Sequence, residues 1–189
     1  GMARETGVEV NQAITAGDRD GLGLGAAIGR HLSERRPRPR HLGASVLAAA
    51  WRLGLPATVH VAIGTDIVHL HPECDPAAVG RATHLDFRSF AAQVACLGGG
   101  GVYLNIGSAV VLPEVFLKAV TLARNLGHRL SDFATANLDF IQGYRPNLNV
   151  VERPVAGCGR GYRLSAHHEL LLPLLAAALI ERDDSRRRR

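Results

Sequence analysis

The chain of 189 residues is 47% apolar and carries a formal net charge of +5. Its length allows one domain with a substantial core, and no run of about eighteen apolar residues predicts a membrane-spanning helix. The three cysteines, Cys74, Cys96 and Cys158, are odd in number and form no C-x-x-C pair. This composition argues against a disulfide framework and predicts a globular protein of the reducing cytoplasm, with no membrane partner.

The basic charge is almost entirely arginine, since Lys118 is the only lysine among the 22 basic residues. Arginines are concentrated in the proline-rich stretch 35–41 and in residues 182–189. A segment as polar as the second cannot bury a core, so we predict a disordered basic tail over residues 181–189. No aromatic residues are interleaved with these arginines, so a nucleic-acid partner is not expected.

The N-terminal part, residues 1–54, predicts helices. Apolar residues support helices over 5–16, 22–34 and 42–53, and glycines follow the first and the last of these segments. Residues 58–63 then have β-branched side chains at alternate places, which is typical of a strand.

Helices and short apolar strands alternate in the remainder of the chain. Thr83 and Asp86 resemble a capping box, and the apolar residues behind them predict a helix over 85–97. The further predicted elements are strands over 102–106, 131–135 and 149–151 and helices over 113–126 and 166–182. This alternation predicts a single α/β domain over residues 1–180, in which 55–180 form a parallel sheet and its covering helices, in three layers.

The stretch 97–114 is the candidate for a ligand site. Four glycines, 98–101, precede the strand at 102–106, and the small residues 107–109 (Gly-Ser-Ala) follow it. A strand, a small-residue turn and a helix form a common cradle for phosphate groups, although this stretch lacks both standard nucleotide fingerprints. A tight connection that serves packing alone is the alternative.

The ligand site of an open parallel sheet lies at the carboxyl ends of its strands. The predicted strands place Asp66, Gly107, Ser108, Thr135 and Ala136 along one such edge. We therefore expect a nucleotide or another anionic small molecule to bind at this edge.

Three segments, 103–115, 133–137 and 165–176, resemble the C-terminal half of deoxyhypusine synthase and its relatives in their order and spacing. Those enzymes transfer a butylamine group from spermidine to a translation factor, with NAD as cofactor. The resemblance covers residues 55–180 and implies a Rossmann-like, NAD-binding topology and a homo-oligomer, since the family works as a homotetramer. The first half of the family's fold has no counterpart, so two alternatives stay open for the chain: a fragment of a longer protein, or a protein with a mis-assigned start.

The resemblance also implies which residues contact a cofactor. By position, Asp66 would hold a ribose, and Gly107 and Ser108 would approach a phosphate. Three further residues would line the same edge of the sheet: Thr135, Ala136 and His167.

The departures from the family concern its chemistry. The family's lysine nucleophile would fall near residues 151–154, where this chain has no lysine, and Arg153 cannot replace it because arginine stays protonated and forms no Schiff base. The family's Lys-His-His sequence is replaced by Leu-Pro-Glu at 112–114. We therefore expect a relative that does not synthesise deoxyhypusine.

A cluster of histidines and acids gives an alternative function. Asp66, His69, His71 and Glu73 lie within eight residues, and imidazole and carboxylate groups are ligands for Zn²⁺ and similar divalent metals. On an extended segment His69 and His71 would point to the same side. The alternative is a metal-dependent hydrolase or isomerase with His69 and His71 as catalytic residues, and a further one is a non-catalytic oligomeric protein.

Overall fold

The computed structural model describes residues 3–187 of the chain. They divide into two compact units, the N-terminal unit up to Gln93 and the C-terminal unit from Val94 onward. The helices are α1 (Arg4–Arg19), α2 (Leu24–Glu34), α3 (Val46–Leu53), α4 (Pro76–Ala95), α5 (Val111–Asn125), α6 (Tyr144–Pro146) and α7 (His168–Arg187). The strands are β1 (Val102–Ile106), β2 (Phe133–Leu138) and β3 (Gly159–Leu164). The prediction of a single domain over 1–180 stays a prediction.

The N-terminal unit is built from helices that pack closely where glycines allow it. A side chain at Gly17 of α1 would collide with the Cβ of Ala27 of α2, which would lie only 2.2 Å away. One core cluster consists of five buried residues from α1, α2 and α4: Ile14, Leu24, Ala78, Val79 and Ala82. The helices predicted over 5–16, 22–34 and 42–53 are thus confirmed, with bounds shifted by a few residues.

Helix α4 begins earlier than its predicted start at residue 85. Its first turn is capped by Asp75, whose Oδ1 accepts from the backbone N–H of Ala77 at 2.9 Å and of Ala78 at 3.1 Å. The predicted capping box of Thr83 and Asp86 is therefore wrong, because both residues lie inside the helix.

The strand predicted over 58–63 is also wrong. This segment has no neighbouring strand, and its backbone is bound by side chains of α4 instead. The N–H of Val61 donates to the hydroxyl of Thr83 at 3.0 Å, and that hydroxyl donates to the carbonyl of Val59 at 3.0 Å. The β-branched side chains of Val59 and Val61 are partly buried against the core of the unit, which explains the alternating pattern.

The C-terminal unit is an α/β structure with an open, three-stranded parallel sheet in the order β1-β2-β3. Helix α5 covers one face, where the ring of Phe116 stacks on Tyr103 at a centroid distance of 3.6 Å. Burial raises the pKa of Tyr103 to about 12, so this phenol stays protonated. The predicted strand 102–106 and the helix that follows it are confirmed.

Three predictions for the C-terminal unit need correction. Residues 149–151 are not a strand but belong to a π-helical segment, Asn147–Glu152. This segment packs against the sheet, where the carbonyl of Val150 accepts a hydrogen bond from the hydroxyl of Thr135 at 2.7 Å. The third strand is instead β3, which the sequence did not predict. Helix α7 continues to Arg187, so the predicted disordered tail is helical over 181–187, and residues 188–189 lie outside the described part.

Candidate functional site

The carboxyl ends of the three strands lie at one edge of the sheet in the C-terminal unit, which we call the rim. Strand β1 is followed by Gly107, which has a φ of +65° that favours glycine, and a Cβ there would lie 3.1 Å from Cε1 of His168. The next residue, Ser108, accepts a hydrogen bond from the N–H of Leu112 at 3.2 Å, which gives one N–H of the first turn of α5 an acceptor. The rim therefore lets a ligand come close to the backbone at Gly107, and it lies at the positive end of the dipole of helix α5.

Three amide side chains form a hydrogen-bonded series behind the rim. Nδ2 of Asn105 donates to Oδ1 of Asn137 at 2.7 Å, and Nδ2 of Asn137 donates to Oε1 of Gln142 at 2.8 Å. Gln142 in turn donates to two backbone carbonyls, of Asp139 at 3.2 Å and of Leu164 at 3.3 Å. Because carbonyls only accept, they fix the orientation of Gln142 and, through it, of both asparagines.

This fixed orientation leaves one acceptor unused. Asn105 also donates to the carbonyl of Ser108 at 2.9 Å, so turning its amide would place two oxygens together at both contacts. Its own Oδ1 is buried and has no hydrogen-bond partner, although the residue is only 1% exposed. A buried polar atom without a partner is energetically costly. The carboxamide of Asn105 lies against the β1–α5 turn, which is the predicted ligand site.

Two aromatic rings stack at the rim. The ring of Phe140, which follows β2, lies 4.5 Å from the imidazole of His167 with an interplanar angle of 18°. The neighbouring His168 donates from Nε2 to the carbonyl of Leu138 at 3.0 Å, which holds the start of α7 at the rim. Phe140 remains 61% exposed, so one broad apolar surface is available to a planar ligand.

Two of the predicted rim residues lie elsewhere. Thr135 and Ala136 are inside β2 rather than after it, because the strand continues to Leu138. The side chain of Thr135 is fully buried and bonded to the π-helical segment, and Ala136 is 6% exposed. Their predicted position at the edge of the sheet is thus wrong, whereas Gly107, Ser108 and His167 do lie at the rim.

Asp66, His69 and His71 lie in the N-terminal unit, so Asp66 does not belong to the edge of the described sheet. Each side chain is used within its own loop. Oδ2 of Asp66 accepts from the N–H of Ala62 at 2.7 Å, and Nε2 of His69 accepts from the N–H of Gly64 at 3.1 Å.

The same loop does not fit a metal ion. Nδ1 of His71 accepts from the N–H of Glu73 at 3.2 Å, and its ring fills the space beside Gly7, where a Cβ would lie 2.3 Å from Cδ2. Nδ1 of His69 is buried without a partner. Within residues 3–187 no group of three or more His, Cys, Asp or Glu side chains is placed to hold a metal ion.

The sequence did not predict Asn105, Gln142 or Phe140 as residues of this site. One signal was present, because each of two short apolar strands contains a single asparagine one residue before its last position. A buried amide in such a strand needs partners, and that requirement makes it a candidate for a network or a site.

Comparison with protein-family models, curated proteins and solved structures finds no match to this chain. Among the described helices, none is both long and apolar enough to cross a membrane. The function is therefore argued from the geometry of the rim.

Proposed function

We propose that the C-terminal unit binds a nucleotide, or a similar anionic small molecule, at the rim. The observation that carries this proposal is the unpartnered Oδ1 of Asn105 beside the β1–α5 turn. The oxygen is buried, so a hydroxyl or N–H group of the ligand would satisfy it once the β1–α5 turn shifts to expose it. A ribose hydroxyl is such a group.

The turn after β1 suits the anionic part of the ligand. At the start of α5 the N–H of Leu112 is bonded to Ser108, and Pro113 has no N–H. The N–H groups of Val110 and Val111 are therefore the ones that lack intrahelical acceptors. The helix dipole favours negative charge there. Gly107 has no side chain to keep a phosphate away, and Ser108 adds a hydroxyl at the same turn. These are the two residues for which the sequence also predicted phosphate contacts.

The stacked pair of Phe140 and His167 suits the planar part of the ligand, since every nucleobase has an apolar face. In this proposal the parallel sheet is Rossmann-like, in three layers, and NAD or a fragment of it is the ligand to test first. No residue at the rim supplies a lysine nucleophile, so the proposed function is binding without deoxyhypusine synthesis.

Thermal unfolding with NAD, ADP-ribose, AMP and inorganic phosphate tests this proposal. A ligand that binds only the folded protein raises the Tm with its concentration, and a 100-fold excess over Kd contributes roughly 2.7 kcal/mol. We expect a rise with the adenine-containing compounds that Asn105→Leu abolishes. The matched control is Asn125→Leu, at the exposed C-terminal end of α5, which should respond like the wild type.

The result that overturns the proposal is equally direct. It fails if none of the four compounds raises the Tm of the wild type, or if Asn105→Leu and Asn125→Leu show the same rise. A rise with phosphate alone, lost in neither variant, also contradicts it.

A further inference from the structure

The sheet of the C-terminal unit has a second face, whose outer strands are open to solvent. This open face consists of the side chains that alternate with those under α5, namely Val102, Leu104, Ile106, Ala134, Ala136, Leu138, Arg160, Tyr162 and Leu164. Arg160 is its one charged member, and Ala136 and Leu138 of the central strand are buried. On the outer strands the large apolar members are well exposed, from 37% at Leu104 to 59% at Val102. Parallel sheets occur almost only with both faces covered, so this face calls for a covering element.

Helix α7 is apolar, but most of its apolar side chains are exposed to solvent. Residues 170–180 read LLLPLLAAALI and are apolar on every side of the helix. Leu170, Leu174, Leu179 and Ile180 are each at least 60% exposed. A helix that is apolar all round belongs in the interior of a protein or of an interface.

The two surfaces match in length. The apolar part of α7 spans 11 residues, about 16 Å at a rise of 1.5 Å per residue, before charged residues begin at Glu181. The strands of the open face have five or six residues, which is about 17–20 Å. One apolar helix segment therefore fits along one face of this sheet.

We propose that α7 of one copy lies across the open face of a second copy, which returns the same contact. A two-fold arrangement of this kind is closed, so it makes a dimer rather than a fibre. Residues 170–180 and the nine residues of the open face supply 20 residues per copy. A stable interface of standard size uses about 20–30 residues a side, and the core of an interface is apolar.

The start of α7 explains why a second copy, rather than its own sheet, is the occupant. The hydrogen bond from His168 to the carbonyl of Leu138 and the stacking of His167 on Phe140 hold the first turn at the rim. From that start α7 leaves both its own leucines and the open face of its own chain exposed. A second copy covers both surfaces without breaking either contact.

The mass of the intact chain in solution, measured by light scattering at micromolar concentration, is the first test. We expect a dimer for the wild type and a halved mass for Leu174→Glu and for Leu104→Glu, since each places a charge in the apolar contact. Both positions are exposed within one copy, at 67% and 37%, so the fold itself tolerates the charge. Leu126→Glu, at a position 69% exposed outside both surfaces, should stay dimeric.

Cross-linking then identifies what α7 contacts, in protein whose three cysteines are replaced by serine. Chains with Leu104→Cys mixed with chains with Leu174→Cys should give a disulfide-linked dimer that neither variant gives alone. A disulfide within one chain that carries both cysteines shows that α7 closes on its own sheet and overturns the proposal. A linked dimer from Leu174→Cys alone shows helix-to-helix pairing and overturns it too, as does a monomeric wild type.

Discussion

Two buried polar side chains, one in each unit, show different hydrogen bonding at similar burial. Asp86 in the N-terminal unit is 3% exposed, and Asn105 in the C-terminal unit is 1% exposed. Oδ2 of Asp86 accepts from the N–H groups of Gly25 at 3.0 Å and Val59 at 2.8 Å, and the carboxylate also accepts from the N–H of Leu24. Asn105 donates both of its amide hydrogens in hydrogen bonds, but its side-chain oxygen has no partner. The first group is saturated by the fold, and the second is not.

This difference separates buried polar groups with a structural role from those that are candidates for function. Asp86 joins the N-terminus of α2 to segment 57–59, where a Cβ at Gly25 would lie 1.9 Å from the carbonyl oxygen of Ala57. Loss of hydration on burial raises the pKa of Asp86, against the lowering effect of its backbone donors. A carboxylate with that many protein donors has a structural role, whereas the buried oxygen of Asn105 has no protein donor.

The largest expected effect comes from removing Asp86. Asp86→Ala leaves buried N–H groups of α2 and of segment 57–59 without acceptors, and each such group costs about 1–3 kcal/mol. We expect a loss of roughly 3 kcal/mol or more in urea denaturation, and a smaller loss for Asp86→Asn, which keeps one acceptor oxygen. The control is Asp75→Ala, which removes only a helix cap and should cost about 1 kcal/mol. Equal losses for the two alanine variants would contradict the structural role of Asp86.

The next effect compares the two asparagines of the rim. Asn137→Leu removes partners from both Asn105 and Gln142, so it should cost about 2 kcal/mol. Asn105→Leu should cost less, because it also removes an oxygen that has no partner. Denaturation without ligand measures both, and a saturating ligand should stabilise only the wild type. The comparison fails if Asn105→Leu is the more destabilising of the two.

The sequence predicted elements best where their signals were local. Strand β1 was predicted with its observed bounds because an apolar run lies between glycines on both sides. Strand β3 was missed because Gly159–Leu164 is rich in glycine and arginine, and its pairing with β2 makes it a strand. Segment 58–63 has a strand-like pattern but no partner, since hydrogen bonds to α4 replace the ladder.

The candidate site could be predicted only in part for a similar reason. Gly107 and Ser108 are visible as a small-residue turn between a strand and a helix. The unpartnered oxygen is not visible, because it depends on the register that places Asn105 opposite Asn137 and on the anchoring of Gln142. Non-local pairing decides both, and periodicity carries no information about it.

A smaller effect is expected from replacing glycines with a positive φ, and two such positions distinguish backbone strain from steric contact with a ligand at the rim. Gly107→Ala and Gly157→Ala both place a side chain at a positive φ, +65° and +68°, and should each cost about 1 kcal/mol. Only at Gly107 would the new methyl group meet a neighbour, Cε1 of His168 at 3.1 Å, whereas Gly157 has open space. We therefore expect Gly107→Ala alone to weaken the Tm shift by the rim ligand. Equal ligand responses in the two variants would place the ligand away from this turn.

The smallest effect is a pH dependence in the N-terminal unit, close to the saturated carboxylate. Burial lowers the pKa of His60, and the nearby charge of Asp86 opposes that shift only in part. The imidazole packs edge-on against Phe90 at 5.4 Å and hydrogen-bonds the hydroxyl of Thr58 at 3.1 Å. Its neutral form is therefore the one that the fold accommodates.

The sign of this dependence follows from proton linkage. A histidine with a lowered pKa binds more protons when unfolded, so its contribution to stability is complete above pH 6.5 and is lost as the pH falls below that value. One proton limits the slope to about 1.4 kcal/mol per pH unit. Urea denaturation between pH 7.5 and pH 5 should show a positive slope below this limit in the wild type and a flatter one in His60→Gln. Because the pKa of Asp86 is raised above 3.8, its own contribution has the opposite sign and lies at lower pH. An unchanged slope in His60→Gln would show that the titrating group is another one.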